Sequence, residues 1–236
     1  MSVEGREPKL RFEFVGMLFA ITISEIAIQF GDLVTKGPSL RVALPAYFHL
    51  LLCLMVVTTS WVGWSTSKSP GAKVDVAGVF SRTYLVLVMD VLLVVAYFIL
   101  VKGVEVDKTS SGLISVVPSA SPEAIWITVI FVGYLAWDIL AKAVFQGEGA
   151  PPQFVARAFG PAFWERGWMS VLCLVLAFFA WSLVHPYPTA VRVIWMDVAL
   201  ISLVVLFRAL KDRGPKSSWA IASSLLYLTG LIAAWN

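Results

Sequence analysis

The stretch YLVLVMDVLLVVAYFILV, residues 84–101, decides the fold class of this chain. It carries a single charged side chain, Asp90, within an otherwise apolar run. A helix needs about 20 apolar residues to cross the hydrocarbon core of a bilayer. We therefore predict a transmembrane helix over residues 80–102.

Similar apolar runs recur on both sides of this stretch, and short polar segments rich in Gly and Pro separate them. Hydrophobic residues make up 59% of the 236 positions and charged residues 14%, whereas soluble domains average about 45–50% and about 25%. We predict an all-α integral membrane protein with about seven transmembrane helices, forming a single membrane domain over residues 1–236. The predicted helices are 14–34, 43–65, 80–102, 125–146, 166–185, 189–210 and 217–235.

The first apolar run is interpreted as a true span, because it is too long for a signal peptide and lacks a small-residue cleavage site. The longest polar breaks, 103–124 and 147–165, leave no room for a soluble catalytic domain. No phosphate loop, dinucleotide motif, nucleophile elbow or metal-ligand spacing is present. We expect no enzymatic activity, no cofactor, no metal and no nucleic-acid partner. Cys53 and Cys173 lie in different predicted spans, and we expect them to be buried free thiols.

Three short matches in the same order suggest an internal repeat. Residues 14–18, 52–54 and 89–91 (FVGML, LCL, MDV) match residues 131–135, 172–174 and 196–198 (FVGYL, LCL, MDV). They predict repeats over 13–102 and 125–211, with an additional helix at 217–236. Because each unit has three helices, the second enters the membrane from the opposite side, which is the inverted repeat found in many transporters. The alternative is a duplication that only builds a scaffold.

Three acids lie within predicted spans: Glu25, Asp90 and Asp197. Each costs roughly 2.5–3.5 kcal/mol at a helix centre, so we expect all three to point into the protein or a subunit interface and none to face lipid. Asp90 and Asp197 occupy matched repeat positions, and a close pair of carboxylates would share one proton. The alternative is that each acid accepts a hydrogen bond from a neighbouring hydroxyl or indole. Trp137 and Trp195 lie next to acids in the sequence and could donate their indole N–H groups inward.

One face of the first helix carries Thr22, Glu25, Gln29 and Asp32, which are spaced three and four residues apart. Such a polar stripe could replace part of the hydration shell of a cation, or relay a proton. The alternative is a sealed hydrogen-bond network in which Asp32 is interfacial.

Three further features are given structural interpretations. Asp138 and Lys142, one helical turn apart, predict an ion pair. His49, near the start of a predicted helix, predicts an interfacial hydrogen bond, although a histidine there could also titrate near neutrality. The segment 154–164 mixes aromatic residues with one cation and predicts either a helix along the membrane surface or a plain loop.

These observations favour a small channel or transporter for a cation or proton. The predicted path is lined by Thr22, Glu25, Gln29, Asp32, Asp90 and Asp197. The alternative is a non-transporting membrane protein: a scaffold, a sensor, or a membrane-disrupting effector controlled by a partner protein. The expected partners are the lipid bilayer and the ion, with a second copy of the chain or another membrane protein as a further candidate.

The distribution of basic residues predicts the orientation of the chain. Thirteen of the 18 Lys and Arg residues fall in alternate non-membrane segments, beginning with the N-terminal one. The positive-inside rule then places the N-terminus in the cytoplasm and the C-terminus outside, in a bacterial-type plasma membrane. Reporter fusions at both termini should report opposite sides, and two reporters on the same side would exclude seven crossings.

Overall fold

A computed structural model of the protein describes residues 10–66, 81–103, 106–108, 114–145, 167–184 and 188–236. Within these residues the chain forms seven α-helices and one two-stranded antiparallel sheet. The helices are α1 (Leu10–Lys36), α2 (Leu40–Ser65), α3 (Arg82–Lys102), α4 (Ser121–Phe145), α5 (Trp168–Ser182), α6 (Ala190–Arg213) and α7 (Ser218–Trp235). The strands are β1 (Val106–Lys108) and β2 (Ile114–Val116).

Six of the described helices are long and apolar enough to cross a membrane, which confirms the prediction of a helical membrane protein. The exception is α5, which has 15 residues and is therefore about 22 Å long. That length is shorter than the hydrocarbon core of about 30 Å. The seventh crossing consequently stays a prediction, and so do the positions of the termini that follow from it.

Three of the helices are preceded by a residue whose side chain caps the first turn. The hydroxyl oxygens of Ser81, Thr189 and Ser217 accept hydrogen bonds from the third residue beyond each of them, at 3.1, 3.4 and 3.2 Å. Such caps satisfy one of the backbone N–H groups that the first turn leaves without a helical acceptor. At the other end of α6, Gly214 has a positive φ of 81°, a conformation that favours glycine and ends the helix.

The segment between α3 and α4 contains a small hairpin that the sequence analysis treated as a plain break. Val106 pairs with Val116 and Lys108 with Ile114. Strand β2 packs against α2, and Ile114 is buried. Strands of three residues are too short to show an alternating pattern, so periodicity did not reveal them.

Helix α2 lies at the centre of the packing, in contact with α1, α3 and α6. Helix α4 packs against α3 and α5, and α7 packs mainly against α6. The start of α2 lies beside the end of α3 and the start of α4, and we call this the His49 end of the bundle. The ends of α4 and α6 lie beside the start of α5, and we call this the Asp138 end.

The internal repeat stays a prediction. Helix α1 packs closely against α3, whereas α4 and α6, the corresponding pair in the second predicted unit, make only a small contact. The two predicted units are therefore packed differently. The segment 154–164, for which a surface helix was one interpretation, lies outside the described residues.

The close approach of α7 to α6 at Gly230 supplies a test of the packing. A Cβ atom on Gly230 of α7 would lie 3.0 Å from the backbone nitrogen of Ala199 and 3.0 Å from the carbonyl oxygen of Trp195. Gly230→Leu should therefore push α7 away from α6 and lower the free energy of unfolding by about 1–3 kcal/mol. Gly31→Leu is the matched control, because a Cβ there meets nothing within 4 Å. Thermal unfolding of the purified variants in detergent gives the loss of stability for each substitution. Equal losses would contradict this packing.

Candidate functional site

The polar stripe of α1 has its main partner on another helix. Glu25 accepts a hydrogen bond from the Lys102 ammonium at 2.6 Å and one from the Gln29 amide at 3.0 Å. Lys102 is the last residue of α3, while α1 continues to Lys36. Glu25 is central in its own helix, but its carboxylate lies at the His49 end of the bundle rather than at mid-depth.

The other two members of the stripe have separate partners. Thr22 is buried, and its hydroxyl donates to the carbonyl of Leu18 at 3.0 Å. Asp32 pairs with Lys36 one turn further along α1 at 2.7 Å. The stripe is thus divided into local interactions, and its part in an ion path stays a prediction.

Asp90 is buried between α3 and α4. Its side chain is 3% exposed and accepts a hydrogen bond from the Trp137 indole at 2.7 Å. Trp137 was one of the two indoles expected to point inward, and here it joins α4 to α3. This arrangement supplies the indole donor that the sequence analysis gave as an alternative to a pair of carboxylates.

Asp197 is completely buried on α6. Its helix packs mainly against α2 and α7, whereas α3, which carries Asp90, packs mainly against α1 and α4. The two matched acids therefore have different helical neighbours. A direct contact between Asp90 and Asp197 stays a prediction.

Hydroxyl groups link three helices beside Asp90. The hydroxyl of Tyr97 on α3 donates to that of Tyr134 on α4 at 3.3 Å. Tyr134 in turn shares a short hydrogen bond with Ser60 on α2. The Tyr134 ring stacks on Phe207 of α6 at 5.0 Å between centroids. This stacking holds the middle hydroxyl of the chain in place.

His49 is enclosed by the protein, and its depth relative to the membrane interface stays a prediction. It is 1% exposed, with Nδ1 at 2.8 Å from the Glu123 carboxylate and Nε2 at 3.0 Å from the Leu100 carbonyl. Helix α2 begins at Leu40 and so extends past the ends of α3 and α4, which enclose His49. Distance from a helix start did not indicate burial, because the ends of the neighbouring helices cover this part of α2.

The sequence analysis missed Glu123. Its predicted helix began at residue 125, which left this acid in the connecting segment. The structure begins α4 at Ser121, and Glu123 in the first turn is completely buried. The Ser-Pro pair at residues 121 and 122 was the available signal, since proline is favoured in the first turn of a helix.

Both cysteines are buried free thiols, as expected. Cys53 lies one turn along α2 from His49, with Sγ 3.3 Å from Nε2. Among the described residues, no group of three or more His, Cys, Asp or Glu side chains is placed to hold a metal ion.

The Asp138 end contains a buried ion pair. Both oxygens of Asp138 accept hydrogen bonds from the Lys211 ammonium, at 2.7 and 2.5 Å, and Ser170 donates at 2.5 Å. The predicted partner was Lys142, whose side chain lies outside the described part of the chain. The observed cation comes instead from α6, so this interaction ties together α4, α5 and α6.

A dry layer separates the polar groups of the two ends. It consists of apolar side chains of α2 and α4 that are at most 1% exposed: Val56, Val57, Ile127 and Ile130. Along α4, Glu123 and Tyr134 are about 16 Å apart, since a helix rises about 1.5 Å per residue. The pair formed by His49 and Glu123 and the hydroxyl chain thus lie on opposite sides of this layer.

No protein-family model matches the chain, and neither a curated protein nor a solved structure is significantly similar to it. The fold and composition define a helical membrane protein.

The buried ion pair generates a stability prediction. Lys211→Met leaves the Asp138 carboxylate without its cation and should lower the free energy of unfolding by about 3–5 kcal/mol. The matched control is Lys36→Met, because the pair of Lys36 and Asp32 is partly exposed and should contribute only about 0–1 kcal/mol. Adding Asp138→Asn to Lys211→Met should restore part of the loss. The free energy of unfolding in detergent is measured for all three variants. Equal losses from the two lysine substitutions would contradict the role of the pair of Asp138 and Lys211.

Proposed function

We propose that this protein is a small membrane channel or transporter that moves protons or a small cation between α2, α3 and α4. One observation carries the proposal: polar side chains that are buried or partly buried recur on facing sides of these three helices. His49 and Glu123 lie on one side of the dry layer, at the His49 end. The hydroxyl chain of Tyr97, Tyr134 and Ser60 lies on the other side, toward the Asp138 end. Buried polar groups are costly in a membrane protein, and they commonly mark ion and proton paths.

Asp90 is the proposed ion-binding acid below the dry layer. Its carboxylate is held by the Trp137 indole and buried near the hydroxyl chain. A protonated carboxylate at this position can release a proton, and an anionic carboxylate can take up a proton or bind a cation. The neighbouring hydroxyls supply further oxygen ligands for a cation. Asp197 on α6 takes the corresponding role if the chain is built from inverted repeats, in which sites form between the two units.

Glu25 is the proposed entry group at the His49 end. Its side chain is 15% exposed and is held by Lys102, whose side chain is 53% exposed. An arriving cation or proton competes with this lysine for the carboxylate. Thr22, Gln29 and Asp32 extend the same face of α1. With a cytoplasmic N-terminus and seven crossings, this end of the bundle faces the outside.

The dry layer is the proposed gate. An apolar constriction excludes ions because they would have to shed their hydration shell to enter it. The two polar groups on either side are therefore separated in this conformation, and transport requires the helices to move or the layer to hydrate. This separation is compatible with a carrier that exposes its sites alternately.

A second candidate is a non-transporting scaffold, sensor or partner-controlled effector. It is favoured by the way in which the protein neutralises its own acids: Lys102 binds Glu25, and Lys211 binds Asp138. Networks closed in this manner join helices and do not require a transported ion. The interaction partner would then be a second copy of the chain or another membrane protein.

Ion flux into liposomes containing the purified protein separates the two candidates. The wild type should move protons, Na⁺ or K⁺, and Asp90→Asn and Glu25→Gln should reduce that flux by about tenfold or more. Asp212→Asn is the charge-matched control, because this acid is 46% exposed and pairs with Arg208 at the Asp138 end. A well-folded wild type without flux of any of these ions would contradict transport and favour the second candidate. Unchanged flux in both acid variants would contradict the proposed path.

A further inference from the structure

We propose that His49 and Glu123 form a site for one proton, which resides on Glu123 while the bundle is sealed. The pair is then a neutral imidazole beside a neutral carboxylic acid. The position of this proton follows from the hydrogen-bond geometry of the pair. Its consequence, that the proton is the transported ion, rests on the function proposed above.

The hydrogen on one ring nitrogen of His49 follows from its neighbour. Nε2 lies 3.0 Å from the carbonyl oxygen of Leu100, which can only accept a hydrogen bond. Nε2 must therefore carry a hydrogen. The Cys53 sulfur, 3.3 Å away, is a second and weaker acceptor for it. The remaining nitrogen, Nδ1, is thus the position at which the ring gains or loses a proton.

Nδ1 and the carboxylate of Glu123 share a single proton. Nδ1 lies 2.8 Å from Oε1 of Glu123, and only one hydrogen fits between two atoms at that separation. If the hydrogen is on Nδ1, the pair is an imidazolium and a carboxylate. If it is on Oε1, both groups are neutral.

The second carboxylate oxygen favours the neutral form. Oε2 of Glu123 is buried and accepts no hydrogen bond within the described part of the chain. An ion pair would place negative charge on this oxygen in apolar surroundings, where an unsatisfied charged atom is far more costly than an unsatisfied neutral carbonyl. Cys53 of α2 lies 3.3 Å from Nε2 of His49. The cations of this end that the structure pairs with acids are Lys102, bound to Glu25, and Lys36, bound to Asp32, while Arg41 lies in the first turn of α2.

The same geometry selects a proton over a metal cation. Sodium, potassium and similar hard cations require several oxygen ligands. Here Oε2 is the one carboxylate oxygen not already bound to the ring, and the Leu100 carbonyl is held by Nε2. When this end opens to water, the Oε1–H bond breaks, its electron pair remains on the carboxylate, and the proton passes to a water molecule. Uptake reverses these steps.

Nitrogen NMR of the labelled ring tests the proton position without altering the site. The chain has two histidines, so His185→Gln leaves His49 as the only ¹⁵N-labelled imidazole. In liposomes at neutral pH, His49 should give one protonated nitrogen and one bare nitrogen, the signature of a neutral ring. Two protonated nitrogens, the signature of an imidazolium, would overturn the proposal.

Infrared spectroscopy tests the other half of the pair. The wild type should show the carbonyl stretch of a protonated carboxylic acid at neutral pH, and Glu123→Gln should lose it. Glu25→Gln should retain it, because Glu25 is bound to an ammonium group and is expected to be ionised. A band that persists unchanged in Glu123→Gln would overturn the assignment to this residue.

Flux measurements separate this inference from the proposed function. Proton flux that Glu123→Gln abolishes supports both. A neutral pair by both spectroscopies in a protein without any flux supports the proton site and contradicts transport. Sodium or potassium flux that Glu123→Gln leaves unchanged supports transport and overturns the proton as the transported ion.

Discussion

The rest of this structure depends on one constraint: inside a bilayer, water is not available as a hydrogen-bond partner, so polar groups must be satisfied by the protein itself. Helices meet this constraint for the backbone. For side chains it is met by contacts between helices, such as the Trp137 indole on Asp90 and the Lys211 ammonium on Asp138. These polar contacts hold α3 to α4 and α4 to α6, and they specify which helices are neighbours where lipid-facing apolar surfaces could not.

The fold could be predicted from the sequence because the same constraint leaves a strong local signal. Long apolar runs must be helices, and polar breaks must be their ends, so the predicted helices agree with the observed ones to within a few residues. The short hairpin between α3 and α4 and the limited length of α5 could not be predicted in this way. A three-residue strand has no measurable period, and the hydropathy of α5 continued into its flanking residues.

The candidate site was harder to predict, because its contacts join residues distant in sequence. Glu25 and Lys102 are separated by 77 positions, and Asp138 and Lys211 by 73. The sequence identifies costly acids and predicts that they point inward, but it does not state which helices lie beside them. The pair of Asp32 and Lys36, although local to α1, was not among the predicted contacts. For Asp138 the pair with Lys142 stays a prediction, and the observed cation, Lys211, comes from a helix that no local pattern places beside α4.

The acids inside the bundle have two kinds of partner. Glu25 and Asp138 are each bound by a lysine, which holds the carboxylate in place. Glu123 is bound by a histidine, a group that can exist in either protonation state near neutrality. A lysine partner stabilises one arrangement. A histidine partner allows the proton to transfer between the imidazole and the carboxylate without a change in the net charge of the pair. Since an isolated charge in an apolar bundle is costly, the pair of His49 and Glu123 can stay buried at no cost in net charge, whichever of the two groups holds the proton.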